Sequence, residues 1–201
     1  MALAAVALTA LWLGMMFGGT GPLDQRVYEA LYAGGHPAWV IAAKGASLFG
    51  DPKVLVPATF AIAAWLWWRG HPRTAATFIA VTMIGRALNS LVKLDVARER
   101  PALETHLMVE HTNSFPSGHA SGSMLFFLAL ALLLAHRGRW HRWWAAAAIL
   151  LSFAVGISRV MLGVHWPSDV IGGWAFGALW VIFTLRMTED LVARDGAIVR
   201  R

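Results

Sequence analysis

Three short stretches of the chain set ionisable side chains beside apolar runs. KLDVARERP places Lys93 seven positions before Arg100, which precedes Pro101; FPSGHAS holds Ser117, Gly118 and His119; SRVMLGVHWPSD holds Arg159, His165 and Asp169. Lys93, Arg100 and Arg159 are three fixed cations, and an arginine grips an oxyanion through two parallel hydrogen bonds. Ser117 and Gly118 follow Pro116 at the start of an apolar run. Their N–H groups therefore fall in the first turn of a helix, where unpaired donors and the dipole favour an anion. The implied guest is a phosphate. Histidine can attack phosphorus or deliver a proton near neutral pH, and a carboxylate can set its tautomer. Asp169 stands four residues after His165 and across a helix start. His165 is accordingly the candidate nucleophile, with Asp169 its orienter. His119 has no carboxylate in its own segment and is the candidate general acid. Two histidines and one nearby carboxylate make a poor metal site, so neither metal nor cofactor is expected.

Something must hold those three stretches together. Of the 201 residues, 58% are hydrophobic and only 14% charged, against about 25% charged in soluble domains. The composition is that of a membrane protein, and the length suits a single domain over residues 1–201. Six apolar runs approach the length that crosses about 30 Å of hydrocarbon, each expected to be helical because backbone in lipid must bond to itself. They lie at about 2–18, 53–68, 75–92, 117–135, 143–161 and 167–185. The first lacks a basic leader and a clear cleavage site and reads as a retained span. Asp51-Pro52, Pro116 and Pro167 are helix-start signals. Residues 19–52 are too broken by charge to span and are expected along the interface.

Lysines and arginines outside the runs set the orientation. Arg69 and Arg73 fall in one turn, Arg137, Arg139 and Arg142 in another, and Arg186, Arg194, Arg200 and Arg201 in the tail. With six spans all three segments share one side, expected to be cytoplasmic, with both termini there. Trp65, Trp67, Trp68, Trp140, Trp143 and Trp144 read as an aromatic belt at that face. The net charge of +6 is then mostly topological, and nucleic acid is excluded as a partner. The three chemistry-bearing stretches converge on the opposite, extracytoplasmic side.

Lys93-x6-Arg100-Pro101, Pro116-Ser117-Gly118-His119 and Ser158-Arg159-x5-His165-x3-Asp169 resemble the three signature motifs of the type 2 phosphatidic acid phosphatase superfamily, which also includes vanadium haloperoxidases. The resemblance implies an all-α, six-helix transmembrane bundle with an outward-facing active site, in a bacterial inner membrane. It implies that Lys93, Arg100, Ser117, Gly118 and Arg159 bind phosphate, that His165 becomes a phosphohistidine supported by Asp169, and that His119 protonates the leaving group. The expected partner is a lipid phosphate: a polyprenyl pyrophosphate, phosphatidate, phosphatidylglycerophosphate or lipid A phosphate. Two other readings compete: a phosphotransferase on the same scaffold, and a non-catalytic lipid carrier or scaffold that would leave the triad unexplained.

The remaining polar residues have plainer readings. His36, His71, His106, His111, His136 and His141 read as solvated loop residues. Asp95, Arg98, Glu99, Glu104 and Glu110 read as a solvated outer loop, with Arg98 within reach of a second phosphate. Gly173-x3-Gly177 reads as span packing. Arg86 stands inside the third run, seven residues before Lys93 and nearly on the same helix face; a buried structural contact and a role beneath the phosphate site are equally open.

Overall fold

The computed structural model describes residues 2–134 and 141–195. These form α1 (Ala2–Phe17), α2 (Pro22–Leu31), α3 (Pro37–Leu48), α4 (Pro52–Trp68), α5 (Pro72–Ile79), a π-helical turn (Ala80–Ile84), α6 (Gly85–Val96), α7 (Gly118–Leu134), α8 (His141–Met161), α9 (Pro167–Met187) and α10 (Glu189–Ala193), with no strand among the described residues. Proline opens α2, α3, α4, α5 and α9. At that position its missing N–H costs nothing and its φ is already helical. Asp51 adds a side-chain cap, accepting the Lys53 N–H at 2.8 Å.

α5, the π turn and α6 run on as one 25-residue helix, Pro72–Val96. That helix, the Arg142–Met161 stretch of α8, and α9 are long and apolar enough to cross a membrane; α1 and α2, bent by 93°, make a fourth candidate if counted as one broken span. α7 has 17 residues, roughly 25 Å at 1.5 Å per residue. It is apolar on every side, as expected of a helix surrounded by others, and it packs between α8 and α9 while α1 lies along α9. Phe78, Val81, Leu125, Ala129 and Val181 form the centre of the core. Between helices in lipid, association depends on close packing rather than on water. The glycines of α9 supply it: a Cβ on Gly173 would meet the Ser117 oxygen at 2.8 Å, and one on Gly177 would meet Met124 Cβ at 2.8 Å. The Gly173-x3-Gly177 spacing is thus the seam against α7.

Residues 19–52, too broken by charge for one apolar run, hold the two short helices α2 and α3. α2 and α3 pack on the site end of α8, and α2 also meets α9. Its Asp24 is buried, accepting the Ser168 N–H at 2.9 Å as well as the Ser168 hydroxyl. A carboxylate held this way is a structural fastener, which explains a charge inside an apolar stretch. At the opposite end Trp65, Trp67, Trp68, Trp143 and Trp144 are exposed, as a belt requires. Arg137, Arg139, Trp140, His136, Arg200 and Arg201 lie outside the described residues.

Candidate active site

The site is assembled where α6 ends, α7 begins, α8 ends and α9 begins. α6 stops at Ala97, left-handed at φ 46°, whose N–H returns to the Lys93 carbonyl. The loop that follows is clamped to the helix it leaves. Asn113 Nδ2 donates to the Lys93 carbonyl at 2.9 Å, Lys93 Nζ donates to the Asn113 and Ser114 carbonyls, and Ser114 N–H donates to the Arg98 carbonyl. α8 hands over to α9 through Gly163, at φ 77°, a conformation that only glycine adopts without strain. That turn brings His165 back over the end of α8.

Pro167 and Asp169 fall at the first and third positions of α9. Asp169 Oδ2 accepts the Trp166 N–H at 2.9 Å, the carboxylate half of a capping box. The same oxygen lies 3.4 Å from His165 Nδ1 and accepts the Ser114 hydroxyl, which is itself 3.3 Å from Nδ1. On the far side of the ring, Arg100 Nη1 stands 3.3 Å from Nε2. A guanidinium can only donate, so Nε2 carries the lone pair and Nδ1 the proton directed at Asp169. This tautomer presents the lone pair to the cavity. His165 is almost wholly buried. Burial above all, and then the charges of Arg100, Lys93 and Arg159, hold its pKa well below the ordinary value. Neutral imidazole, the nucleophilic form, is therefore the resting state. Burial also lowers the Arg100 guanidinium, opposed by Glu110 and Asp169.

A cavity of about 200 Å³ opens in front of Nε2 and is walled by Lys93, Arg100, Gly118, His119 and His165, together with Arg86 and Glu110. The other expected site residues stand behind this wall. Ser117 is fully buried; its N–H donates to the Asp169 carbonyl and its hydroxyl accepts the Ala120 N–H at 3.4 Å, locking the first turn of α7 to α9. Arg159 is fully buried and donates to Ser47 Oγ at 2.6 Å and to Glu110. His119 reaches the cavity beside Gly50, where a Cβ would come within 3.0 Å of His119 Cβ.

The outer loop departs from its expected character. Asp95, Glu99 and Glu104 are exposed, but Arg98 and Glu110 are not solvated. Arg98 Nη1 donates to Asp169 Oδ1 at 3.0 Å and to Ser168 Oγ at 3.1 Å, while Nη2 donates to the Met15 and Met16 carbonyls at 2.8 and 3.0 Å. Its guanidinium also covers the Phe115 ring. With both Nη groups engaged away from the cavity, it neutralises Asp169 and ties the end of α1 to the site in place of a second phosphate. Glu110 pairs with Arg159 and, at 3.7 Å, with Arg100, and so puts a carboxylate among the cations of the cavity. Ser114, Glu110 and Arg98 carried no signal in the sequence beyond lying near a motif. Of the loop histidines, His36 and His111 are exposed, whereas His106 is part-buried with Nε2 2.6 Å from the Pro101 carbonyl, and His71 Nδ1 is buried. His136 and the His141 side chain are outside the described residues.

Comparison with known proteins agrees with this geometry. The family model for the PAP2 superfamily matches residues 74–193, which hold all three motifs. The lipid A 1-phosphatase of Rhizobium johnstonii is 34% identical over 192 residues, covering 88% of this chain and 71% of that protein. Undecaprenyl-diphosphatase BcrC of Bacillus subtilis is 30% identical over 152 residues, covering 70% and 75%. Among solved structures, the transmembrane PAP2-type phosphatidylglycerolphosphate phosphatase of Bacillus subtilis superposes with a TM-score of 0.84 at 25% identity, over 93% of this chain and 96% of that one. With its apolar helices, its three motifs around one cavity and these relatives, the chain is an integral membrane protein and belongs to the PAP2 superfamily.

Proposed function

We propose that the protein is a metal-independent membrane lipid phosphatase that hydrolyses a phosphomonoester or pyrophosphate lipid through a phosphohistidine at His165. The observation that carries the reading is the His165 ring, fixed by Asp169 and Ser114 on one side and facing a cation-walled cavity that also holds His119. Lys93, Arg100 and the Gly118 N–H grip the transferring phosphoryl group and offset charge on its oxygens in the transition state. His165 Nε2 attacks phosphorus, the bond to the lipid oxygen breaks, and His119 supplies that oxygen with a proton. His119, now neutral, then takes a proton from water as water attacks the phosphohistidine and releases phosphate. Arg159 and Ser117 support this wall from behind, and Arg159 becomes available to phosphate when Glu110 yields.

The same reading gives six spans, α7 included, with the site on the extracytoplasmic face of a bacterial inner membrane. Undecaprenyl-diphosphatase, lipid A 1-phosphatase and phosphatidylglycerophosphatase activities among the relatives support lipid phosphates as the substrate class. The test is phosphate release by purified protein from polyprenyl pyrophosphate, phosphatidate, phosphatidylglycerophosphate and lipid A. Activity on at least one, kept in EDTA and inhibited by vanadate, a mimic of the trigonal-bipyramidal phosphoryl group, is expected. Activity lost in chelator and restored by a divalent ion overturns the mechanism. For orientation, a single cysteine at exposed His111 should react with an impermeant thiol reagent on intact cells, and one at exposed Arg69 should not.

A further inference from the structure

One cation of the cavity has no part in the mechanism above. Arg86 shares a face of α6 with Asn89 and Lys93, at spacings of three and four, and all three line the cavity. Lys93 stands two turns further on, a rise of about 10 Å. Among the described residues no hydrogen bond or ion pair engages the Arg86 guanidinium; the opposing charge it feels is that of Asp51, a carboxylate committed to capping α4. Room for the guanidinium is made by Gly122, where a Cβ would lie 2.8 Å from Nη1. Gly122 is one helical turn along α7 from His119, so Arg86 sits beyond His119 as seen from the mouth of α7. Asn89 is buried, and its Oδ1 has no donor among the described residues, leaving the amide able to turn its NH2 toward an anion. Pro52 and Ser90, which line the same part of the cavity, are exposed on the flank of the bundle. An unpartnered arginine in a span is costly and marks a polar pathway.

We propose that Arg86, assisted by Asn89, forms a second phosphate subsite on the leaving-group side of His119, making the protein selective for lipid diphosphates over lipid monophosphates. The proposal rests on the reading of the chain as a lipid phosphatase acting through His165. The lipid reaches the cavity from the flank at Pro52 and Ser90, its inner phosphate lies on Arg86, and its terminal phosphate meets His165. Attack at the terminal phosphorus forms the N–P bond and breaks the bond to the bridging oxygen, whose electron pair leaves with the lipid monophosphate. Arg86 neutralises that departing charge, and His119 protonates the oxygen. Water then cleaves the phosphohistidine to inorganic phosphate.

The test compares kcat/KM for a prenyl diphosphate and for the monophosphate of the same tail. Arg86→Met should lower the diphosphate-to-monophosphate ratio by about tenfold to a hundredfold, the range of a charge-assisted hydrogen bond. Arg86→Lys should restore part of it, because a cation returns without the planar fork. Gly122→Ala, which places a methyl against Nη1, should shift the ratio in the same direction, and with Arg86→Lys it gives the answer if Arg86→Met does not fold. An unchanged ratio, whether both activities fall together or neither does, overturns the subsite. A wild-type protein that hydrolyses the monophosphate but not the diphosphate overturns the subsite and leaves the phosphatase reading standing. One that hydrolyses neither removes that reading and the subsite with it.

Discussion

The two ends of the helix bundle both carry arginine–carboxylate pairs, and they use them differently. At the end marked by Arg69 and Arg73, the Arg73–Asp195 pair is 3.3 Å apart, with the arginine side chain half exposed and the enclosed carboxylate also held by the Thr74 N–H and hydroxyl. At the site end, Arg98 is 9% exposed against a fully buried Asp169, and Arg159 is fully buried against Glu110. A pair whose cation stays in water gains little from it, because water and side-chain entropy offset the attraction. A buried pair must repay a large desolvation cost and does so only when every remaining donor and lone pair is satisfied. For Arg98 and Asp169 the fitted partners are present, since Arg98 has four acceptors and Asp169 has the Ser114 hydroxyl, the Trp166 N–H and Arg98, whereas Arg159 keeps a buried Nε without a partner among the described residues. A cationic end of a membrane protein is thus topological when its charges snorkel, and functional when the fold encloses and pairs them.

The largest effect is expected at the ring those pairs serve. His165→Ala should lower turnover by at least ~10⁴-fold, as loss of a nucleophile does in a catalytic unit whose members act together, and should abolish any trapped phosphoenzyme. Asp169→Asn should cost on the order of 10²–10⁴-fold while phosphate still binds, since an amide cannot stabilise the cationic character of the phosphohistidine. A His165→Ala protein that still forms an acid-labile phosphoenzyme, with a His119→Ala protein that does not, would mean the two histidine roles are exchanged.

A smaller effect separates the two kinds of pair directly. Arg98→Ala leaves Asp169 buried without its counter-ion and should destabilise the fold by about 3–5 kcal/mol. Arg73→Ala removes a half-exposed partner from the enclosed Asp195 carboxylate, which keeps two hydrogen bonds from the Thr74 N–H and hydroxyl, and should cost less, about 1 kcal/mol. Unfolding midpoints of the two variants in the same detergent measure this. Equal shifts would remove the distinction between the ends.

Membership of the family was legible because its motifs are local strings: Lys93 to Pro101, Pro116 to His119 and Ser158 to Asp169 each span no more than a dozen consecutive residues at helix ends. The helical, membrane-embedded character was legible for a related reason, since apolar runs declare themselves without reference to anything else. What escaped was everything contributed across long sequence separations. Arg98 meets Asp169 and Met15, Asp24 meets Ser168, and Ser47 meets Arg159; none of these pairs has a spacing that a periodicity or a motif could report. Glu110 and Arg98 read as solvated because a charge in a loop usually is, and only the folding of that loop against α6 and α9 encloses them. Residues 19–52 show the same limit: their charges argue against an unbroken span, but that Asp24 would be buried on a partner 144 residues away could not be read from them.

The smallest expected effect is a displacement in pH, and it tests whether the enclosed cations tune the nucleophile as well as hold phosphate. His165 is held below its ordinary pKa of about 6.5, first by burial and then by Arg100, Lys93 and Arg159. A base with a lowered pKa stays unprotonated to lower pH, so the acid limb of kcat/KM, which reports the free enzyme, should lie below that ordinary value. Arg100→Gln removes the largest of the charge contributions while leaving burial in place. Protonation of His165 then becomes easier and the acid limb should move toward higher pH, beyond any uniform loss of rate from a weaker grip on phosphate. The substrate's own phosphate titrates identically for both enzymes, so the difference between the two profiles isolates the histidine. Arg73→Ala, at the far end of the bundle, should leave the limb where it is. A limb that stays put in Arg100→Gln, or moves toward lower pH, would show that Arg100 does not set the protonation of His165. Its approach to Nε2 would then be only the resting position of a phosphate clamp.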